Sequence, residues 1–174
     1  MENIRITNKL NPFYSRFINL YSGSFPVFEQ RTGEQQDAAF ASQGYHLAAY
    51  EENGVFLGFI SYWEFDSYIY IEHFAVDKKL RGKGYGSLIL TAFIEQQTKV
   101  IILEIDHITD EISASRLRFY EKCGFCKNDY NHIHPPYRNG YEGHGLIVLS
   151  SNRTITEEEY ERFNNDLKMV VMSV

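Results

Sequence analysis

The stretch "FAVDKKLRGKGYGSLIL" carries three glycines, Gly82, Gly84 and Gly86, among Lys78, Lys79, Arg81 and Lys83. A strand-like run ends at Val76 and a helix-like run begins near Tyr85, so the glycines lie at a strand-to-helix junction. Unpaired amides crowd at a helix N-terminus, and glycine lets an anion approach the backbone closely. "RGKGYGS" therefore predicts a phosphate site built from main chain, with Arg81 or Lys83 free to meet a phosphate directly. Two nucleotide motifs fail on spacing. No glycine stands four residues before a Gly-Lys-Ser/Thr string. In a Gly-x-Gly-x-x-Gly register the third position is Ser87 or Ile89.

A second group of reactive side chains lies in "NDYNHIHPPYRNGYEG", residues 128–143: Tyr130, His132, His134, Tyr137 and Tyr141, stiffened by Pro135 and Pro136. These groups could line a pocket, or anchor an ordinary surface loop. Cys123-x-x-Cys126 followed by His132-x-His134 invites a zinc reading. Cys123, however, falls at a helix end and Cys126 in the next strand, while a redox pair would open a helix rather than close one. No metal is expected.

The elements that must hold these groups are readable from periodicity. Ile4 and Ile6 alternate with polar neighbours as a first strand. Phe13, Phe17, Leu20 and Tyr21, then Phe28 and Ala38–Phe40, recur at helical spacing, divided by Gly23, Pro26 and Gly33. "YHLAAYEE", "VFLGFISYWEF" and "YIYIEHFAV" are three strands, the first two joined by Asn53-Gly54, a pair suited to a tight hairpin. A helix over about Tyr85 to Gln97, the strand "VIILEI", a helix stopped at Gly124 and the strand "HGLIVLS" follow. Thr156 and Glu159 make a capping box for a final helix. Its stripe of Tyr160, Phe163, Leu167 and Val170 is laid on the domain or on a second subunit, the latter making a homodimer. The expected class is α/β: a mixed, mostly antiparallel sheet flanked by helices, as one domain over residues 1–151 with a helical extension over 152–174.

Composition narrows the function. With 174 residues, 44% of them hydrophobic, the chain supports one packed core. A formal net charge of −6 argues against nucleic acid as a partner, and no apolar run is long enough for a membrane span. Two cysteines, and an N-terminus without the order of a signal peptide, point to the cytoplasm.

The spacing Arg81-x-x-Gly84-x-Gly86, preceded by "EHFAV" and followed by "RFYEKCGF" at 118–125, resembles the GNAT superfamily of acetyl-CoA-dependent N-acetyltransferases. The order of elements is similar from residue 1 to about 150. The resemblance implies acetyl-CoA or coenzyme A as co-substrate. The amides of Gly82, Lys83, Gly84, Tyr85, Gly86 and Ser87 would hold its pyrophosphate, and the backbone of Phe74, Ala75 and Val76 would pair with the pantetheine arm as an added strand. Many members have Asn seven residues before the helix tyrosine. Ser113 stands there in this chain, and Ser113 or Ser115 would be the shorter substitute.

The resemblance also implies acetyl transfer to a primary amine by direct attack in a ternary complex. A protonated alkylamine must lose a proton before it attacks, and the departing thiolate gains from an acid. Tyr120 is the candidate acid. Glu72, a lone carboxylate in an apolar run, is the candidate base, directly or through water, or a contact for a cationic substrate. Alternation puts Glu72 with Tyr70 and Phe74, and His73 on the opposite face as a packed residue. His132, His134, Tyr137 and Tyr141 are the candidate acceptor contacts, for a small-molecule or peptide amine. Two rivals stand beside this reading: an acyl-CoA-binding module without turnover, and a nucleotide-binding protein of another kind.

Overall fold

The computed structural model describes residues 1–174. Eight strands form one sheet in the order β1-β2-β3-β4-β5-β8-β6, with β7 also pairing β8. β1 (Glu2–Ile6), β2 (Tyr45–Glu52), β3 (Val55–Glu64) and β4 (Tyr68–Val76) form an antiparallel run. β5 (Val100–Asp106) joins β4 in parallel. β8 (His144–Ser151) lies antiparallel to β5, and its far edge is shared end to end by β6 (Phe125–Lys127) and β7 (His132–His134). The short β7 lies inside the segment expected to be a continuous connection. Three residues are too few to show alternation in sequence.

Helices cover both faces. α1 (Tyr14–Ser24) and α2 (Gly33–Ala41) pack with α5 (Glu157–Met169) on one side, where Phe17, Tyr21, Ala39, Phe163 and Leu167 meet Phe59, Trp63 and Tyr70 of the sheet. α3 (Tyr85–Glu95) and α4 (Glu111–Lys122) take the other, through Ile89, Leu90, Phe93 and Leu117 against Ile69, Ile71 and Leu103. Thr32, Asp110 and Thr156 each cap a helix in a capping box, so three helix starts are fixed locally. No helix is long and apolar enough to cross a membrane.

Two features of β4 shape everything near the site. It pairs with β5 only through Tyr68, Ile69 and Tyr70, so the two strands splay beyond that point and leave a fork. In addition, Ser61 faces His73 and Tyr62 faces Ile71, which leaves Glu72 as the extra residue of a β-bulge. Strict alternation is therefore broken, and the expected separation of Glu72 from His73 does not occur. Ile71 and Phe74 belong to the α3/α4 side, whereas Tyr70 and Ala75 belong to the α1/α2/α5 side. Glu72 and His73 also contact groups of the latter side: Arg31 and Trp63 for Glu72, Tyr21 and Phe25 for His73.

Most of the apolar stripe of α5 packs within the chain. Phe163, Leu167 and the following Val171 are buried in the main core, while Val170 remains partly exposed. The chain end also reaches the interior polar groups, because Arg31 donates to the carbonyls of Val171 (2.8 Å) and Val174 (3.2 Å). Deleting residues 170–174 removes one buried valine and two acceptors for a buried guanidinium. The expected loss is about 2–5 kcal/mol, read from the urea midpoint at unchanged slope.

Candidate active site

The fork opens into a single cleft of about 1220 Å³. One wall is β4 from Tyr70 to Val76; the other is β5 from Leu103 to Asp106. Gly82, Gly84, Gly86 and Ser87 close one end with Ser115, Phe119 and Tyr120 of α4. Ser24, Phe25, Pro26, Phe28 and Glu29 from the α1–α2 connection border it with His134, Tyr137 and His144.

At the glycine end, Gly82 and Gly84 have φ of +73° and +85°. Gly84 is the N-cap of α3, so a left-handed backbone sets the helix start and presents its first amides. Gly86 packs α3 against α4: a Cβ there would sit 3.4 Å from the ring of Phe119, about contact distance. Arg81 donates to the carbonyl of Val76 (3.3 Å) and is exposed, as is Lys83. Phe74, Ala75 and Val76 pair with β3 on one side only; on the side facing the fork no strand covers them.

Tyr120 lies on α4, its ring edge-on to Phe119 at 5.0 Å and Phe125 at 5.7 Å. Burial, partly offset by Arg116, pushes its hydroxyl up to about 12, so the phenol stays protonated at neutral pH. Ser113 does not face the cleft. Its hydroxyl accepts from the amides of Thr109 and Asp110 and donates to Asp110, which uses its full hydrogen-bonding capacity in the α4 cap. The coenzyme contact expected of it is therefore corrected; Ser115 is the serine of this helix that lines the cleft.

Glu72 also departs from expectation. Its side chain is fully buried and accepts from Arg31 Nε (2.8 Å), Trp63 Nε1 (2.8 Å) and the Tyr137 hydroxyl (3.0 Å). Burial alone would raise its pKa, but Arg31, His73 and these donors hold it below the ordinary carboxylate range. A carboxylate with its charge paired and three donors already on its oxygens is a poor proton acceptor. The base role expected from its place in an apolar strand is corrected: Glu72 anchors Arg31. Geometry, not residue type, decides this.

Of the expected acceptor contacts, His134 and Tyr137 line the cleft, while His132 and Tyr141 do not. His132 is 2% exposed and bonds Glu104 of β5 through Nε2; its Nδ1 is 2.9 Å from the Tyr160 hydroxyl of α5. Glu104 also accepts from Tyr70. Burial opposes its charge, but His134, His132 and Tyr70 keep its pKa low. This buried network ties the cleft floor to the C-terminal helix. Tyr141 is exposed, its ring 6.1 Å from that of Phe28. The histidine pair offers no zinc set with the cysteines either, since His132 and His134 are turned to Glu104.

Three residues at the cleft had no signal in sequence. Glu29, Asp106 and His144 bring their side-chain ligand atoms within 4.8 Å of one another from the α1–α2 connection, the end of β5 and the start of β8. Each reads alone as a polar residue at an element boundary, and only the sheet order makes them neighbours.

The sequence model of the acetyltransferase (GNAT) family matches residues 14–125. A solved structure from Bacteroides thetaiotaomicron, provisionally described as a GNAT-family acetyltransferase, is 28% identical with a TM-score of 0.92, covering 100% of this chain and 99% of its own. YncA of Salmonella typhimurium, solved with acetyl-CoA, shares the fold at a TM-score of 0.60 and 19% identity, over 90% of this chain and 96% of its own. YjbC of Bacillus subtilis, provisionally named an acetyltransferase, is 28% identical over 102 residues, 56% of this chain. That match spans about half (50%) of YjbC's length.

Proposed function

This chain belongs to the GNAT acetyltransferase family, and from that premise we propose that it transfers acetyl from acetyl-CoA to a primary amine by direct attack in a ternary complex. The observation that carries the reading is one continuous cleft, with a glycine loop and an uncovered strand edge at one end and acidic groups at the other. A thioester laid along Phe74–Val76, with its pyrophosphate on the amides of residues 82–87, brings its carbonyl toward the middle of that cleft. An ammonium group is attracted to the acidic end. Tyr120, protonated and in the same cleft, is placed to hand a proton to the departing sulfur.

Direct attack is favoured over an acetylated cysteine. Neither Cys123 nor Cys126 lines the cleft. Burial pushes the Cys123 thiol up, partly offset by Ser87, so little of the nucleophilic thiolate forms at neutral pH.

The test is thiol release from acetyl-CoA across a panel of primary amines, with both substrates varied. Intersecting initial-rate lines are expected. Parallel lines would indicate an acetyl-enzyme, and acetyl-CoA binding without thiol release for any amine would favour a non-catalytic acyl-CoA module.

A further inference from the structure

We propose that Glu29, Asp106 and His144 form the acceptor's ammonium site, and that Glu29 takes the proton which frees the attacking nitrogen. This rests on the acetyl-transfer reading above and assigns residues that neither motif contains.

Glu29 lies in the connection between α1 and α2, with its carboxylate 24% exposed and its Oε1 3.6 Å from His144 Nε2. That nitrogen has neither solvent contact nor a hydrogen-bond partner, although it borders the cleft. The imidazole as a whole is 32% exposed, so a small shift of the ring brings this unpartnered nitrogen to a polar group entering the cleft. Burial, aided by His134, lowers the His144 pKa, so the ring stays neutral near pH 7. A neutral ring does not repel a cation. The fixed position of Glu29 comes from β4, where His73 Nε2 lies 2.9 Å from its backbone oxygen.

The groups facing Glu29 come from four elements: His73 on β4, Glu104 and Asp106 on β5, Arg116 on α4 and His144 on β8. Arg116 is mostly committed to Asp106, to which it donates. Burial, then the nearby Asp106, raises Glu29 to about 7. A carboxylate near 7 matches the proton-transfer task at neutral pH far better than the low, fully paired Glu72. Phe25, Pro26 and Phe28 beside it give an apolar wall, with Phe28 edge-on to His144 at 5.9 Å. The class of acceptor is thus a primary ammonium on an apolar stem.

The balance is as follows. R–NH3⁺ passes one proton to the Glu29 carboxylate. The nitrogen lone pair forms the C–N bond to the thioester carbonyl carbon, and the C–S bond breaks with its electron pair leaving on sulfur. The second nitrogen proton reaches sulfur through Tyr120, giving the amide and free thiol, and Glu29 later releases its proton to water.

The test compares wild type with Glu29→Gln and Asp106→Asn as full-length protein. Calorimetry with n-butylamine on the coenzyme A-loaded protein at pH 8 is expected to show affinity reduced at least tenfold in both variants, with coenzyme A affinity unchanged. For thiol release with n-butylamine, kcat/KM of wild type should rise with pH and level near 7. In Glu29→Gln it should fall about 10²–10⁴-fold at pH 7 and keep rising toward the amine's own pKa.

A structural readout runs in parallel. A carboxyl raised in the fold binds more protons there than when unfolded, so wild type loses stability as pH climbs from about 4.5 to about 7. Glu29→Gln should melt above wild type at pH 8 and level with it at pH 4. An unchanged pH–rate profile in Glu29→Gln overturns the inference while the acetyl-transfer reading stands. Retained, Glu29-dependent amine binding without any thiol release supports the ammonium site and overturns that reading instead. Stoichiometric zinc lost on His144→Ala would make the cluster a metal site and overturn the inference.

Discussion

Glu72→Gln is expected to lose about 3–5 kcal/mol of stability, a drop in melting temperature on the order of 10 °C for a chain of this size. The charge of Arg31 is the reason. Arg31 is 5% exposed, and its Nε bonds Glu72, while its remaining donors reach the backbone oxygens of Val171 and Val174, so Glu72 is the one side-chain anion bonded to it. Glutamine retains an acceptor for Trp63 or Tyr137 but leaves the guanidinium unpaired in a dry setting. Burial lowers the Arg31 pKa and Glu72 more than offsets it, so the guanidinium stays charged and cannot escape by losing its proton. The pH dependence has a definite sign. Glu72 is held below its ordinary pKa, so its contribution is fully present above about pH 4.5 and disappears as acid protonates it. Chemical unfolding at pH 7 and pH 3 reads both effects, with a smaller wild-type advantage at pH 3. The double variant Arg31→Met/Glu72→Gln should recover part of the loss, because no charge is then orphaned. A fully stable Glu72→Gln protein with only its turnover impaired would contradict the anchoring role and restore Glu72 as a proton acceptor.

Tyr120→Phe should lower turnover by about 10- to 10⁴-fold with little change in coenzyme A affinity. The ring contacts to Phe119 and Phe125 survive the substitution, so the fold is expected to hold. A phenol at about 12 does not readily give its proton to an alkyl thiolate, whose conjugate thiol is the stronger acid, so ionisation alone is uphill. On the proposed mechanism the hydroxyl would accept the second proton of the attacking nitrogen as it donates to sulfur. Turnover should then show no alkaline loss from Tyr120 ionisation below about pH 11. Single-turnover thiol release separates this step from product departure. Equal single-turnover rates for wild type and Tyr120→Phe would remove the acid role.

The parts legible in sequence are those with local causes. Gly84 at the start of α3, the capping box at Thr156 and the stop at Gly124 act within a few residues, so the glycine loop and the element order follow from the string alone. The motif around Tyr120 completes the family reading because its spacing to the loop is linear information. Ser113 departs from the expectation because the same serine satisfies a capping box with Asp110, a local competitor for its hydroxyl.

Tertiary structure decided the rest. Arg31 and Glu72 stand 41 residues apart, and one extra residue in β4 turns Glu72 to the face that Arg31 occupies. Alternation cannot foresee a bulge, since the residue that interrupts the ladder is set by both strands. His132 looked like a pocket residue until β7 paired with β8 and buried it against Glu104. Glu29, Asp106 and His144 become neighbours through chain folding, and desolvation, which raises Glu29, exists only after packing. The amino-acid sequence by itself determined the glycine-loop end of the cleft, because main-chain geometry and short motifs build it. The opposite end, with Glu29, Asp106 and His144, was decided by tertiary structure, because charge pairing and burial depend on residues distant in the chain.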